Sequence, residues 1–454
     1  MIILPILLAG FLRIYKIFSN YYFTGELGKE LLFANQIISE GSIPLVGMGT
    51  SHEWLTYGPI YYWILVPVIK IFGSSPFVLY WISLAVSLLG IFVTYLVFKK
   101  IVGKRFALIV SFFVAVSPLY IWATRLSKLH TFFFILTPAI IYFLYKVWNG
   151  GRWAIFWLGV SYGALFSFHF SQIPIFLVIM LTVFIKRKIL KIKDYLYLLL
   201  GLLLPNVTII IHDAKNGFSM VKNLLLWIPY RISGFLGLYP KNNMNSEVGV
   251  STLSAFNEFL GRNIFWDSRF WILGSIFFIS LLLFFVFQNR KKIGKDFLVF
   301  YVITSTAVQM FALFIHTSPP LHYFFPVFLN FALIFSYYVD RTWKRKLTKA
   351  LTMLFFLSMS VANIFALNME HLNDEDYTPL ATQINAVDTI LNDANGKPFS
   401  LERVGPYDYF PENYSQHFQY LILEKGGVIE PGSDLKYTIF DFGDILISRT
   451  IANE

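Results

Sequence analysis

Residues 20–63, NYYFTGELGKELLFANQIISEGSIPLVGMGTSHEWLTYGPIYYW, decide how this chain of 454 residues is arranged. The stretch follows a short apolar N-terminus and holds four of the 26 acidic residues of the chain, against a single lysine. Its charged residues are Glu26, Lys29, Glu30, Glu40 and Glu53. Carboxylates beside conformation-setting Gly and Pro, in an otherwise apolar chain, point to catalysis.

The composition is that of a membrane protein. The chain is 56% hydrophobic and only 14% charged, whereas soluble domains carry about 25% charged residues. The basic residues behind the net charge of +11 lie in short clusters between apolar runs, which is typical of cytoplasmic loops and not of nucleic-acid binding. The absence of Cys excludes disulfides, thiolate metal sites and cysteine nucleophiles.

Eleven apolar segments are candidate membrane spans, each of which needs roughly 20 residues. They lie near 1–18, 75–98, 106–123, 129–148, 153–169, 172–186, 194–212, 270–288, 297–316, 322–340 and 349–367. Basic clusters occur at 99–105, 186–193, 290–295 and 341–349. Because positive charge favours the cytoplasmic side, we expect these clusters and the N-terminus inside and the C-terminus outside.

The segment 58–73, GPIYYWILVPVIKIFG, determines the predicted topology. If it crossed the membrane fully, the basic cluster at 99–105 would lie outside. The segment is short and contains Pro59 and Pro67, so we predict a helix that lies in the outer interface. The outer segments are then 19–74, 213–269 and 368–454.

The tail, residues 368–454, changes composition and predicts a small domain. Helices are predicted at 378–394, with Thr378 as the N-cap, and near 411–425. Strands are predicted at FSLERV (399–404), YTIFDF (437–442) and ILISRTI (445–451). The expected fold is therefore a mainly α, polytopic membrane domain over 1–367, with about 11 transmembrane helices and interfacial juxtamembrane helices, followed by a small extracytoplasmic α/β domain.

Glu26 is the first candidate catalytic residue. Residues 25–38 have the apolar spacing of a helix, and Glu26 lies in its first turn. An acid there is favoured by the helix dipole whatever its function. At a membrane–water boundary the same carboxylate can accept a proton from an incoming hydroxyl. The local pattern leaves both interpretations open.

Glu53 is the second candidate acid. It lies between His52 and an aromatic run that ends at Trp63. Interfacial anchoring explains the aromatic side chains but not the acid before them. Glu53 is therefore a candidate for orienting an acceptor or for supporting Glu26.

Cationic and polar residues in the outer segments are candidate phosphate contacts. Arg125 and Lys128 share a short outer turn, where snorkelling alone accounts for them. Outer cations are nevertheless less common than inner ones, and they suit a lipid phosphate. The candidate phosphate contacts are Arg125, Lys128, His322, Tyr323, Arg231 and Lys29.

No metal or nucleotide site is indicated. The pairs His212-Asp213 and His52-Glu53 lack the spacing of metal ligands. The chain has neither a P-loop nor a Rossmann glycine fingerprint. We therefore expect no cofactor, and a divalent metal is not indicated by the sequence.

Several short motifs carry a family resemblance. They are Gly25-Glu26, Gly28-Lys29-Glu30-Leu31-Leu32, Pro44-Leu45-Val46-Gly47, Gly58-Pro59-Ile60-Tyr61-Tyr62-Trp63, Pro205, Asn216-Gly217-Phe218 and the run 322–326, HYFFP. Together they resemble membrane glycosyltransferases of the GT-C superfamily, in particular glycosyltransferase family 39 and its bacterial relatives, which include protein O-mannosyltransferases and aminoarabinose transferases. The resemblance covers roughly residues 1–350.

The resemblance implies an activity. A sugar would pass from a polyprenyl-phosphate donor to an acceptor hydroxyl on a glycan, lipid or protein, outside a prokaryotic cytoplasmic membrane. Glu26 would be the base, Glu53 the second acid, and the anomeric carbon would be inverted. Many relatives have Asp in place of Glu26 and an acid in the turn after Arg125, where this chain has Lys128 and His130.

Two other classes remain open. A polysaccharide polymerase or ligase would depend more on outer Arg and His residues than on acids of the first loop. A flippase or transporter for lipid-linked sugars would place charges inside its spans, whereas the predicted spans are nearly uncharged.

Overall fold

The structure is a computed structural model that describes residues 2–50, 52, 54–235, 238, 252–316, 319–369, 378–406 and 414–451. This part of the chain is built mainly of α-helices. The helices are α1 (Ile3–Ile14), α2 (Gly25–Glu40), α3 (Ile60–Phe72), α4 (Pro76–Ile101), α5 (Lys104–Val116), α6 (Pro118–Arg125), α7 (Phe133–Trp148), α8 (Ala154–Phe168), α9 (Ile173–Ile185), α10 (Ile192–Leu203), α11 (Val207–Lys215), α12 (Ser219–Phe235), α13 (Thr252–Gly261), α14 (Trp271–Asn289), α15 (Phe297–His316), α16 (Phe328–Thr342), α17 (Lys346–Met369), α18 (Leu380–Ala394) and α19 (Gln416–Glu424). The strands are β1 (Ser400–Val404), β2 (Leu435–Phe442) and β3 (Asp444–Ile451).

Apolar helices long enough to cross a membrane identify an integral membrane protein. Among the described residues there are six, or seven if the pair α5–α6, bent by 55°, counts as one span. The six are Pro76–Ile101, Leu129–Trp148, Ile192–Lys215, Ser268–Lys292, Leu321–Thr342 and Lys346–Met369. The other predicted spans are also helical, but α1 and α8, for example, are shorter. The predicted count of 11 spans is therefore not confirmed.

The predicted interfacial segment 58–73 forms α3. Its 13 residues extend about 20 Å at 1.5 Å per residue, which is less than the roughly 30 Å of a hydrocarbon core. Pro67 lies inside the helix, and Gly73 ends it with a positive φ of 84°. This length agrees with a helix that does not span.

Helices α8 and α10 pack unusually closely through glycine. A Cβ on Gly159 would lie 2.5 Å from the carbonyl oxygen of Leu198, and one on Gly201 would lie 2.3 Å from that of Phe156. Because neither position has a side chain, the two backbones can touch, as small residues permit in membrane helix pairs.

The tail forms the predicted α/β unit. The sheet has the order β1-β2-β3, with β1 parallel to β2 and β2 antiparallel to β3. All three strands lie where the sequence predicts them. The predicted helix near 411–425 is α19, and its predicted first residues fall in 407–413, outside the described residues.

The predicted N-cap of α18 is wrong. Pro379 occupies the N-cap position, and the hydroxyl of Thr378 instead donates a hydrogen bond to Asp441 on β2. A long-range carboxylate thus replaces the local backbone partner that the sequence pattern predicts.

Asp441 is the centre of a buried polar cluster in the tail. Arg403 of β1 donates to its Oδ2 from Nε (2.9 Å) and Nη2 (2.8 Å), and His417 of α19 lies 3.6 Å from the same oxygen. Burial alone would raise the pKa of Asp441, but hydrogen bonds from His417 and Thr378, with the nearby charges, outweigh it and lower the pKa to about 2. The cluster joins the sheet to α19.

Candidate active site

Helix α2 presents Glu26 at the surface. The helix runs from Gly25 to Glu40, in agreement with the predicted helix. Leu27 and Leu31 are buried and anchor one face, whereas the side chain of Glu26 is 45% exposed. The apolar face therefore fixes the direction of α2 and leaves the carboxylate of Glu26 accessible.

Lys128 is the ionic partner of Glu26. The two side chains form a salt bridge, and that of Lys128 is 28% exposed. Lys128 follows α6 and directly precedes a 3₁₀ helix, Leu129–Phe132. Two predicted site residues from separate segments are thus in direct contact.

The tail domain reaches the same helix terminus. The backbone N–H of Glu26 donates a hydrogen bond of 3.4 Å to the hydroxyl of Tyr414. First-turn N–H groups have no acceptor within their own helix, so Tyr414 supplies one from a distant part of the chain. Gln383 of α18 adds a second link by donating to the carbonyl oxygen of Phe23 (3.0 Å).

Glu30, one turn beyond Glu26, is buried. Only 7% of it is exposed, and it accepts a hydrogen bond from the hydroxyl of Tyr62 on α3. Burial raises the pKa of Glu30, the Tyr62 hydrogen bond opposes the rise and the charge of Glu26 adds to it, and the net result is a pKa of about 7. Glu30 is thus a structural neighbour of Glu26 with its own titration near neutrality.

Arg125 lies in the interior. It is 1% exposed, and its Nη1 donates to the carbonyl oxygens of Arg13 (2.9 Å) and Tyr15 (3.0 Å). These bonds join the C-terminal end of α1 to α6. Because Arg125 is buried and its Nη1 donates to main-chain carbonyls, we leave it out of the proposed phosphate contacts.

Three histidines meet beside Lys128. His130, His169 and His322 come from three separate segments, and their potential ligand atoms all lie within 4.8 Å of one another. Tyr323 packs against this group, with its ring centroid 5.4 Å from that of His169. The predicted pair His322-Tyr323 is therefore close to the turn that holds Lys128.

Sequence reasoning missed this histidine cluster. The three residues are far apart in the chain and have no shared spacing, so a search for ligand motifs does not find them. The fold thus brings together three residues of metal-ligand type that the sequence does not indicate, and the expectation of no cofactor stays a prediction.

The remaining predicted site residues are Glu53, Arg231 and Lys29. Glu53 lies outside the described residues. Arg231 belongs to α12, but its side chain is likewise outside the description. Lys29 is partly buried on α2, between Glu26 and Glu30 in sequence. These three assignments stay predictions.

Known proteins share the fold of this chain. A family model described as dolichyl-phosphate-mannose-protein mannosyltransferase matches residues 56–211. No curated protein sequence matches the chain. ArnT from Cupriavidus metallidurans, in its crystal structure bound to undecaprenyl phosphate, has a TM-score of 0.64 at 10% identity, over 96% of this chain and 92% of that chain.

Oligosaccharyltransferase structures from Archaeoglobus fulgidus are also similar. The apo form has a TM-score of 0.56 at 14% identity, over 86% of this chain and 57% of that chain. AglB from the same organism, in complex with an inhibitory peptide and a dolichol-phosphate, has a TM-score of 0.51 at 15% identity, with the same coverage. The resemblance to GT-C membrane glycosyltransferases is thereby confirmed: the chain has their fold, and part of it matches the mannosyltransferase family model.

Proposed function

We propose that the chain is an inverting glycosyltransferase, which moves a sugar from a polyprenyl-phosphate donor to an acceptor hydroxyl at the outer face of the membrane. The observation that carries the proposal is the exposed carboxylate of Glu26 at the start of α2, paired with Lys128. The undecaprenyl phosphate bound by ArnT and the dolichol-phosphate bound by AglB support a lipid-phosphate donor. The acceptor would be a glycan, a lipid or a protein.

Glu26 is the proposed general base. It removes the proton of the acceptor hydroxyl, and the oxygen forms a bond to the anomeric carbon. The bond between that carbon and the phosphate oxygen breaks on the opposite face, which inverts the configuration. Polyprenyl phosphate leaves with one additional negative charge.

Lys128 is proposed to act on both the general base and the leaving phosphate. Before the reaction its ammonium group neutralises Glu26. When the proton reaches Glu26 the carboxylate loses its charge, and Lys128 can then stabilise the charge that develops on the leaving phosphate. His322 and Tyr323 are proposed as further contacts to that phosphate.

Glu26→Gln tests the base. Membranes that contain the variant would be given polyprenyl-phosphate sugars with a labelled hexose or pentose, and transfer of the label to the acceptor fraction would be measured. We expect a loss of about 10²- to 10⁴-fold, the usual contribution of a general base. Glu40→Gln is the matched control, because Glu40 is an exposed acid at the other end of the same helix.

Full transfer by Glu26→Gln at normal expression would overturn the assignment. The lipid product separates the enzyme from a transporter. An enzyme releases free polyprenyl phosphate only when acceptor is present, whereas a transporter moves the intact lipid-linked sugar between leaflets and releases none.

A further inference from the structure

We propose that His130, His169 and His322 form a binding site for a divalent transition-metal ion of the zinc class. The site shares His322 with the proposed phosphate contacts, but it goes beyond the proposed glycosyl transfer, whose steps are written without a metal. It also departs from the expectation, drawn from the sequence, that no cofactor is present.

The arrangement of the three rings is close to that of a metal site. The ring centroid of His130 lies 4.2 Å from that of His322 and 4.8 Å from that of His169, and the third pair is 4.8 Å apart. Tetrahedral zinc, with Zn–N bonds of about 2.0–2.1 Å, separates its nitrogen ligands by about 3.4 Å. Ligand atoms that already lie within 4.8 Å of one another reach this spacing through small side-chain rotations.

One ring nitrogen of the cluster is buried without a hydrogen-bond partner. Nε2 of His130 is shielded from solvent and has no hydrogen-bond partner. Most buried polar side-chain atoms have at least one partner, because an unsatisfied group loses its hydration without compensation. A metal ion would satisfy this nitrogen. Ring stacking alone would leave it unsatisfied.

Ser171 supports His169 as a ligand. Its hydroxyl lies 2.8 Å from Nδ1 of His169, and a ligating histidine needs an acceptor for the N–H of its other nitrogen. The backbone N–H of Ser171 donates to Nδ1 at 3.1 Å, so in this arrangement Nδ1 is an acceptor and the neutral ring carries its proton on Nε2. Metal binding through Nε2 moves that proton to Nδ1, which gives up the bond from the backbone N–H and donates to the Ser171 hydroxyl instead.

The ligand type selects the metal. The described cluster offers three imidazoles and no carboxylate. Imidazole suits Zn²⁺, Cu²⁺ and Ni²⁺, whereas Mg²⁺, Ca²⁺ and Mn²⁺ prefer oxygen ligands. Three protein ligands leave a coordination position for a water molecule or an oxygen anion.

Cobalt binding provides the test. The full chain would be purified in detergent through an affinity tag that contains no histidine, stripped with a chelator and titrated with Co²⁺ alone. We expect one Co²⁺ per chain with the visible absorption bands of a tetrahedral site, displaced by Zn²⁺ and unaffected by Mg²⁺. His169→Gln and His322→Gln should each weaken binding by 10-fold or more. His212→Gln, a histidine of α11 outside the cluster, is the matched control.

Two further measurements distinguish loss of the metal site from misfolding of the variants. Ser171→Ala leaves all three ligands in place and should weaken Co²⁺ binding about 10- to 100-fold, as loss of a supporting hydrogen bond does. Zn²⁺ should raise the Tm of the wild type and of His212→Gln, but not that of the cluster variants. The proposal is overturned if the wild type shows no tetrahedral spectrum, or if the cluster variants bind Co²⁺ as the wild type does. Sugar transfer plays no part in these readouts, so either proposal can fail alone.

Discussion

Gly28 of α2 lies directly against the main chain of His417 at the start of α19. A Cβ on Gly28 would fall 2.4 Å from the backbone nitrogen of His417 and 2.5 Å from its Cα, distances that no side chain can occupy. The helix that carries Glu26 and the tail domain therefore pack backbone against backbone. The geometry around Glu26 depends on this contact.

Gly28→Val should separate the two elements. The added side chain must displace α19, and overpacking of this kind costs about 1–3 kcal/mol. We expect a lower Tm in detergent and faster proteolysis of the tail. Gly294→Val is the control, because a Cβ there meets open space. An unchanged Tm for Gly28→Val would contradict the close packing.

Tyr414→Phe should slow transfer without loss of the domain contact. The ring would stay against Gly25, whose Cβ position lies 3.0 Å from it, while the hydrogen bond from the Glu26 N–H would be lost. A hydrogen bond contributes about 0.5–1.5 kcal/mol, so kcat should fall about 2- to 12-fold with little change in KM.

Tyr420→Phe is the matched control for Tyr414→Phe. The Tyr420 hydroxyl lies 2.8 Å from that of Ser74 and is part of the same domain contact, but it makes no bond to Glu26. Equal losses of kcat in the two variants would mean that the Tyr414 hydroxyl acts only through docking.

Glu30 should make stability depend on pH. Its pKa is about 7 in the folded protein against an ordinary value of 4.5, so between these values the folded state binds more protons and stability falls as pH rises. Below pH 4.5 the carboxyl of Glu30 is equally protonated in the folded and the unfolded state. Above about pH 7 the decrease in the free energy of unfolding is complete and is on the order of 3 kcal/mol.

Melting curves between pH 4.5 and 8 would test this prediction. The wild type should lose Tm across this window relative to Glu30→Gln, which cannot ionise. Tyr62→Phe removes a hydrogen bond that lowers the Glu30 pKa, so the pKa should rise in this variant. Its Tm should therefore continue to fall up to a higher pH than the Tm of the wild type. Parallel curves for wild type and Glu30→Gln would show that Glu30 is not the titrating group.

Lys128→Gln should affect catalysis far more than stability. Its salt bridge with Glu26 is partly exposed, and such pairs contribute about 0–1 kcal/mol. Loss of a group that stabilises developing charge costs about 10²-fold or more in kcat. Steady-state transfer assays and melting curves measure the two effects separately.

Lys425→Gln is the control for Lys128→Gln. It removes a comparable exposed pair with Asp388 (2.6 Å) in the tail and should leave kcat unchanged. An equal effect of both substitutions on kcat would show that Lys128 has no special role in the reaction.

Local patterns predicted the elements of this protein well. The apolar spacing of Leu27, Leu31 and Ala34 predicted α2, and all three residues are buried. The β-forming runs of the tail became β1, β2 and β3. Such patterns depend on neighbours within a few residues, which the sequence displays directly. The number of spans was harder to predict, because several apolar segments fold as shorter helices.

Partnerships between distant residues were not predictable. Arg125 was expected to face a lipid phosphate, but it is buried against carbonyls of α1. Nothing near Glu26 in the sequence indicates Tyr414, and nothing near His130 indicates His169 or His322. A side chain in an outer turn can snorkel, pair or turn inward, and the neighbouring elements decide which.

The sequence by itself determined that this is a helical membrane protein with an acid-bearing helix after its first apolar segment, a small α/β tail and a resemblance to GT-C glycosyltransferases. Composition, periodicity and short motifs are sufficient for these conclusions because they are properties of contiguous residues. Only the tertiary structure decided that Lys128 and Tyr414 meet Glu26, that Glu30 is buried, and that three histidines converge. Those relationships arise from packing between segments that are distant in the sequence, where burial and unsatisfied polar groups select the partners.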